Sequence, residues 1–259
     1  MPAPRAVSRI HFTASPRQRA QQAMRSMRAR YGDAGAEKPD VVVALGGDGF
    51  MLETLHAFMG RKVPIYGMNC GSVGFLMNEF AEEGLLDRLE RAEPANIRPL
   101  QAKGRDVRGR PFSALAINEV SLLRELRQTA KLRIIVDGKE RLPELVADGV
   151  LIATPAGSTA YNLSAYGPIL PIDARLLALT PISPFRPRAW RGALLPHHVR
   201  VRIDVLEPDT RPVSAVADNK EFRDVATVEV EEHADLVLSM LFDEGRALDE
   251  RILAEQFAH

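Results

Sequence analysis

"DVVVALGGDGFMLETLH", residues 40–56, joins an apolar run to a glycine-rich break and then to a helical pattern. The run through Leu45 reads as a strand buried on both faces of a parallel sheet. Gly46-Gly47-Asp48-Gly49 interrupts it, and the spacing of Leu52, Leu55 and Met59 predicts a helix over residues 50–59. Glycines let the backbone turn sharply and bring N–H groups close to a ligand with no Cβ between them. The positive partial charge of a helix N-terminus adds to this, so Gly46, Gly47 and Gly49 suit a phosphate. The loop lacks the Gly-Lys-Ser/Thr ending of a Walker A motif and is not a G-x-G-x-x-G fingerprint. Asp48 is the ambiguous member. It is either an N-cap in a tight turn or an acid placed to take a proton from an attacking hydroxyl beside a phosphate.

Working outward, strands and helices alternate through the first hundred residues. "SRIHFTA" (8–14) reads as a first strand. Ser15-Pro16 follows as N-cap and first helical residue, then Ala20, Met24, Met27 and Tyr31 at helical spacing. "KVPIYGMN" (62–69) reads as a strand and "AEEGLLDRLERA" (81–92) as a helix. Such alternation predicts an α/β domain of βαβ units over residues 1–100. The first 32 residues hold seven arginines and no acid, as a mitochondrial transit peptide does. Their strand-and-helix pattern favours folded structure instead.

Past residue 100 the pattern changes. "FSALAINEVSLL" (112–123), "KLRIIVDGKE" (131–140) and "GVLIATP" (149–155) read as strands. In "HHVRVRIDV" (197–205), Val199, Val201, Ile203 and Val205 alternate with Arg200, Arg202 and Asp204, and "VATVEVEE" (225–232) alternates too. These are half-exposed antiparallel strands, predicting an all-β, sandwich-like domain over residues 101–235. Residues 236–259 form a third segment. There Leu248, Ile252, Leu253 and Phe257 predict a terminal helix that packs back on the first domain.

Hydrophobic residues make up 46% and charged residues 26%, with 34 basic and 34 acidic side chains giving net +0. That balance offers neither a nucleic-acid footprint nor a polybasic membrane patch, and no apolar run reaches membrane-spanning length. The single cysteine, Cys70, excludes an internal disulfide and fits a reducing cytoplasm.

Three further stretches carry chemistry. "GMNCGSVGFLMNEF" (67–80) opens the backbone at the carboxyl end of a strand, where open α/β sheets bind ligands. Asn118-Glu119 sets an amide beside a carboxylate among apolar residues, an arrangement suited to a base or a ribose and common also at a plain strand end. "ADGVLIATPAGSTAYNLSAYGPILP" (147–171) packs hydroxyls, small residues and two tyrosines after a strand. That set suits a nucleotide, though a Ser/Thr-rich turn looks similar. "TPISPFRPRAWRG" (180–192) carries Arg186, Arg188, Arg191 and the only tryptophan, Trp190. It reads as a subunit contact in preference to a loop tied to its own surface.

Together "GGDG", "NEV", "ADG" and "TPAGSTAYNLS…GPIL" resemble the NAD kinase family, in that family's order and with similar spacing. The resemblance implies an α/β domain followed by a β-sandwich-like domain, with the active site in the cleft between them. The implied reaction is phosphorylation of the 2′-hydroxyl of the adenosine ribose of NAD by ATP or another phosphoryl donor, with a divalent metal, Mg²⁺, carried in on the nucleotide. No side-chain cluster has dedicated metal-ligand spacing. Asp48 matches the family's proton acceptor, with Gly49 beside it. Asn118 and Glu119 match dinucleotide contacts, and Asp148 matches an aspartate at the nicotinamide end. Thr159, Ala160, Tyr161, Asn162, Leu163 and Ser164 match the loop lining the NAD site, with Ala156 in the same loop. A homodimer or homotetramer is implied.

Departures from the family pattern are Phe50, where a Thr is usual, and Asp218-Asn219-Lys220, where Asp-Gly-Gln is frequent. No residue between Glu119 and Lys131 is carried over. GGDG is shared with diacylglycerol-type lipid kinases, so a lipid kinase is one competing reading and a non-catalytic NAD(P)-binding sensor another. The Gly-Ser-Thr-Ala-Tyr loop speaks against the first, and Asp48, which binding alone does not need, against the second.

Overall fold

A computed structural model describes residues 7–71, 74–245 and 248–257, leaving Ser72 and Val73 of the second glycine-rich stretch outside it. The chain divides into two compact units, Met1–Ile97 with Leu236–His259, and Arg98–Asp235.

The first unit opens with β1 (Ile10–Ala14), α1 (Gln18–Tyr31), β2 (Val41–Gly46), α2 (Asp48–Ala57) and β3 (Ile65–Asn69). β4 (Asn78–Glu79), α3 (Leu85–Arg91) and β5 (Glu93–Ile97) follow. β2 is buried along its whole length and pairs in parallel with β1 and β3, as its unbroken apolar run requires. α1 lays Ala20, Ala23 and Met27 on this sheet. Its start differs from expectation. Arg17 holds the N-cap position in extended conformation, and neither Ser15 nor Pro16 is helical. The Ser15 N–H instead donates to Leu45 O at 2.9 Å, which keeps the chain on the β1–β2 path for one more residue.

The second unit begins with β6 (Leu100–Asp106), β7 (Pro111–Ala116), β8 (Glu119–Arg124), β9 (Ala130–Val136), β10 (Lys139–Ala147) and β11 (Gly149–Ala153). A 3₁₀ turn (Ala156–Thr159) and α4 (Tyr161–Ser164) lead to β12 (Leu176–Ile182) and β13 (Ala193–Pro196). β14 (Val201–Val205), β15 (Val213–Ala217), β16 (Lys220–Phe222) and β17 (Val225–Glu232) complete it. Two six-stranded sheets result, ordered β10-β9-β14-β17-β6-β7 and β13-β12-β11-β8-β15-β16. Both send buried Val, Ile, Leu and Ala side chains into one shared core.

Two stretches expected to be single strands are each two. "FSALAINEVSLL" breaks at Ile117-Asn118. β7 pairs with β6 in one sheet while β8 pairs with β11 and β15 in the other, so the chain changes sheets there. "KLRIIVDGKE" is a hairpin. Asp137 (φ 49°) and Gly138 (φ 74°) supply the two left-handed residues that a type I′ turn demands.

The chain then returns to the first unit. β18 (Leu238–Phe242) lies between β3, parallel, and β5, antiparallel, giving the order β1-β2-β3-β18-β5 with β4 on β3. α5 (Leu248–Gln256) buries Leu248 and Ile252, whereas Leu253 and Phe257 are 49% and 74% exposed. The expected apolar stripe is therefore narrower: the i, i+4 pair faces inward and the residues one step round the helix do not.

Candidate functional site

In the first unit, β2 delivers Gly46 and Gly47 to the carboxyl edge of the parallel sheet, and α2 starts at Asp48, two residues before the predicted start. Gly47 is the N-cap, with φ −130° and ψ −175°, and makes no side-chain capping bond. Asp48 is thus not the cap of its own helix. Its carboxylate reaches across to the segment after β3, where it accepts the Phe75 N–H at Oδ2 (2.6 Å) and the Leu76 N–H at Oδ1 (2.9 Å). A carboxylate has about four lone-pair sites, so acceptor capacity remains on both oxygens.

The glycines around it differ in use. A Cβ on Gly74 would stand 2.6 Å from Asp48 Oδ1, so glycine is needed there for the carboxylate to sit where it does. A Cβ on Gly46 would meet Phe50 Cβ at 2.8 Å; the Phe50 ring covers that glycine. Gly47 and Gly49 have open space on the corresponding side. The open face of the turn therefore lies at Gly47 and Gly49, with Gly46 roofed by Phe50.

In the second unit, the sheet change at Ile117-Asn118 is gripped from β15–β16. Asp218, at φ 51°, accepts the N–H groups of Ile117 (2.6 Å) and Asn118 (2.9 Å), with Glu119 N–H at 3.4 Å. This carboxylate, absent from the expected site residues, orients the Asn-Glu pair. In the sequence it stood out only as the first residue of Asp218-Asn219-Lys220, a departure from the expected Asp-Gly-Gln. Glu119 lies against it with Oε2 buried and without a hydrogen-bond partner among the described residues. Burial, and then the Asp218 charge, push the Glu119 carboxyl up to about 7, against a Tyr161 backbone N–H bond that favours the ionised form. Such a carboxyl switches between donor and acceptor near neutrality.

The 154–164 loop is built onto the same corner. Asn118 O accepts the Thr154 N–H at 2.9 Å, and Thr154 Oγ1 donates to Ile117 O at 2.7 Å. A Cβ on Gly157 would stand 2.2 Å from Asn118 O, so the loop passes where only glycine fits. Ala156, Gly157 and Ser158 are buried, and Ser158 Oγ is tied to Pro155 O and Leu170 N. Asn162 is also wholly buried: Nδ2 donates to Ser158 O and Pro168 O, and Oδ1 accepts the Thr180 hydroxyl at 2.7 Å. Its side chain shapes the loop from inside, whereas Thr159, Ala160, Tyr161 and Leu163 are partly open and Ser164 is exposed.

Asp148 stands at the end of a third feature. Arg124 Nε donates to Asp148 Oδ1 at 2.6 Å, and the pair, with Tyr161 and Ile182, lines an open cavity of about 890 Å³. Arg124 belongs to the stretch from which no site residue was expected. Burial, then Glu119 and Asp148, raise the Tyr161 phenol above its usual range. Trp190 packs on the unit's own core, and Val146 forms a bridge with Arg186, which ties the 180–192 loop down locally. Among the described residues no three His, Cys, Asp or Glu side chains group as a metal site, and no helix is long and apolar enough to cross a membrane.

Comparison with known proteins addresses the whole chain. The family models for the ATP-NAD kinase N-terminal domain and the ATP-NAD kinase C-terminal domain match residues 6–91 and 117–230. The NAD kinase of Caulobacter vibrioides is 63% identical over 252 residues, 97% of each chain. That of Rhizobium meliloti is 56% identical over 250 residues, 96% of this chain and 97% of its own. In fold, the chain is similar to the crystal structure of yeast NADH kinase complexed with NADH, at TM-score 0.83 and 22% identity over 99% of this chain and 88% of that one. It is also similar to an NAD kinase from Archaeoglobus fulgidus in complex with ATP, at TM-score 0.73 and 22% identity over 96% and 97%. With both domain models matched in order and relatives above half identity from end to end, this chain belongs to the NAD kinase family.

Proposed function

We propose that this protein phosphorylates the 2′-hydroxyl of the adenosine ribose of NAD, giving NADP, with ATP or another phosphoryl donor. The observation that carries the reading is Asp48, held by two amides at the mouth of an open glycine turn instead of capping its own helix. A ribose hydroxyl is a poor nucleophile, and a carboxylate within hydrogen-bond reach accepts its proton as the new bond forms. The amides at Gly47 and Gly49, with Gly46 beneath Phe50, receive the donor phosphates at the N-terminus of α2.

The dinucleotide is assigned to the Asn118–Glu119 corner and the loop beside it. Asn118 and the unsatisfied Glu119 Oε2 offer a donor–acceptor pair to a ribose or base, and Thr159, Ala160, Tyr161, Leu163 and Ser164 offer the accessible wall. Ala156 and Asn162 serve this wall from behind, and Asp148 takes the nicotinamide end. The divalent cation, Mg²⁺ by preference, comes with the triphosphate; when bound it neutralises charge on the phosphates and keeps several of its waters. A cytoplasmic location and a homodimer or homotetramer complete the reading.

The lipid-kinase alternative loses its ground with the family match, since the C-terminal domain model spans the Gly-Ser-Thr-Ala-Tyr loop. The test is incubation of the purified protein with ATP, Mg²⁺ and NAD, followed by chromatography. NADP formation is expected. Binding of NAD with no NADP formed supports the sensor reading instead and contradicts the proposal.

A further inference from the structure

The C-terminal helix reaches Asp48 through a single peptide group. Arg251 on α5 donates from Nη1 to Phe75 O at 2.9 Å and to Met77 O at 2.6 Å. The Phe75 carbonyl shares its peptide unit with the Leu76 N–H, which donates to Asp48 Oδ1 at 2.9 Å. A trans peptide points its C=O and N–H in opposite directions. A guanidinium on one side and a carboxylate on the other therefore polarise the same amide, and each bond strengthens the other. The adjacent Phe75 N–H, at 2.6 Å from Oδ2, completes the hold on Asp48.

Residues 74–77 belong to no helix or strand ahead of β4, so these bonds set their position. Asn78 anchors their far end, donating to Gly67 O and Leu241 O and accepting the Asp243 N–H. Arg251 is placed by Leu248 and Ile252, which are buried, and its guanidinium lies 5.1 Å from the centre of the Phe242 ring on β18. β18 and α5 thus fix Arg251, Arg251 fixes the carbonyl side of residues 75–77, and the amide side of the same residues fixes Asp48.

We propose that Arg251 is a positioning residue for phosphoryl transfer, holding the Asp48 carboxylate in its reactive orientation through the Phe75–Leu76 peptide. The inference rests on Asp48 being the proton acceptor. It concerns orientation in the transition state, so its loss falls on kcat and leaves ground-state binding of NAD nearly intact.

The experiment compares Arg251→Met, Arg251→Lys, Asp48→Asn and the Arg251→Met/Asp48→Asn double variant in kcat, KM, NAD affinity and Tm. A displaced catalytic group costs on the order of 10²-fold, so Arg251→Met is expected to lose about 10- to 100-fold in kcat with NAD affinity within about threefold. Arg251→Lys, whose ammonium still donates to carbonyls, recovers most of the loss. The double variant is no slower than Asp48→Asn alone, because the two residues act on one step. Wild-type kcat in Arg251→Met beside an inactive Asp48→Asn overturns the inference and leaves the role of Asp48 standing. So does a double variant whose losses simply multiply. Full turnover in Asp48→Asn removes the base itself, and the inference with it. If Arg251→Met does not fold, Arg251→Gln against Arg251→Lys at matched Tm decides: equal kcat contradicts positioning by the charged donor, and a slower Gln variant supports it.

Discussion

Glu119 combines a buried unsatisfied oxygen with a carboxylate neighbour, Asp218, and both facts bear on pH. Its ordinary value is 4.5 and its folded value about 7, so the fold favours the protonated form. That contribution to stability is fully present below 4.5 and is lost as pH rises through about 7. Without nucleotide, the wild-type Tm is expected to fall more between pH 5 and pH 8, roughly the span of that transition, than the Tm of Glu119→Gln. Parallel melting curves for the two proteins over that range would contradict this account of the pair. The sequence singled out Asn118 and Glu119 as candidates but not what orients them. Asp218 and Arg124 act by long-range pairing with groups far away in the chain, and such pairings leave no local pattern. Asn162 shows the reverse: its place in a motif was legible, while its burial and its bond with Thr180 depend on the packed loop.

At the scale of elements, glycine positions decide how closely loops and strands approach. Gly157 passes over Asn118 at a separation no side chain permits. Gly157→Ala is expected to cost about 1–3 kcal/mol, as forced overpacking does, and to weaken NAD binding because Asn118 must shift. Differential scanning calorimetry and titration with NAD measure both; an unchanged Tm and affinity would show that the corner yields freely. The alternating strands β14 and β17 and the buried β2 were legible because their periods are unambiguous. The break between β7 and β8 was not, since Ile117 continues the apolar run and only the change of sheet interrupts it. β18 was missed for a related reason. Its five residues were given no element of their own within the 236–259 segment, and they become a strand by filling the place between β3 and β5. Around α5, a stripe of four apolar residues was legible, three of them in the helix and Phe257 just past its end, but only neighbours in space select the two that are buried.

For the whole molecule, the return of the chain to its first unit gives the C-terminal residues a part in the chemistry attributed to Asp48. β18 joins β5 to β3 in the first sheet, and α5 supplies Arg251 to the segment that holds the carboxylate. The α/β and all-β division followed from hydrophobic periodicity, and the family from four motifs in order. Phe50 was legible only as a missing hydroxyl; in the fold its ring is a cover for Gly46, leaving Gly47 and Gly49 open. The central claim is that Asp48 takes the ribose proton during transfer. The most direct measurement is the pair of kcat and NAD dissociation constant for Asp48→Asn beside the wild type. The claim predicts NAD affinity within about tenfold and kcat lower by roughly three orders of magnitude or more, because proton acceptance matters in the transition state. Weakened NAD binding with wild-type kcat at saturation would contradict it.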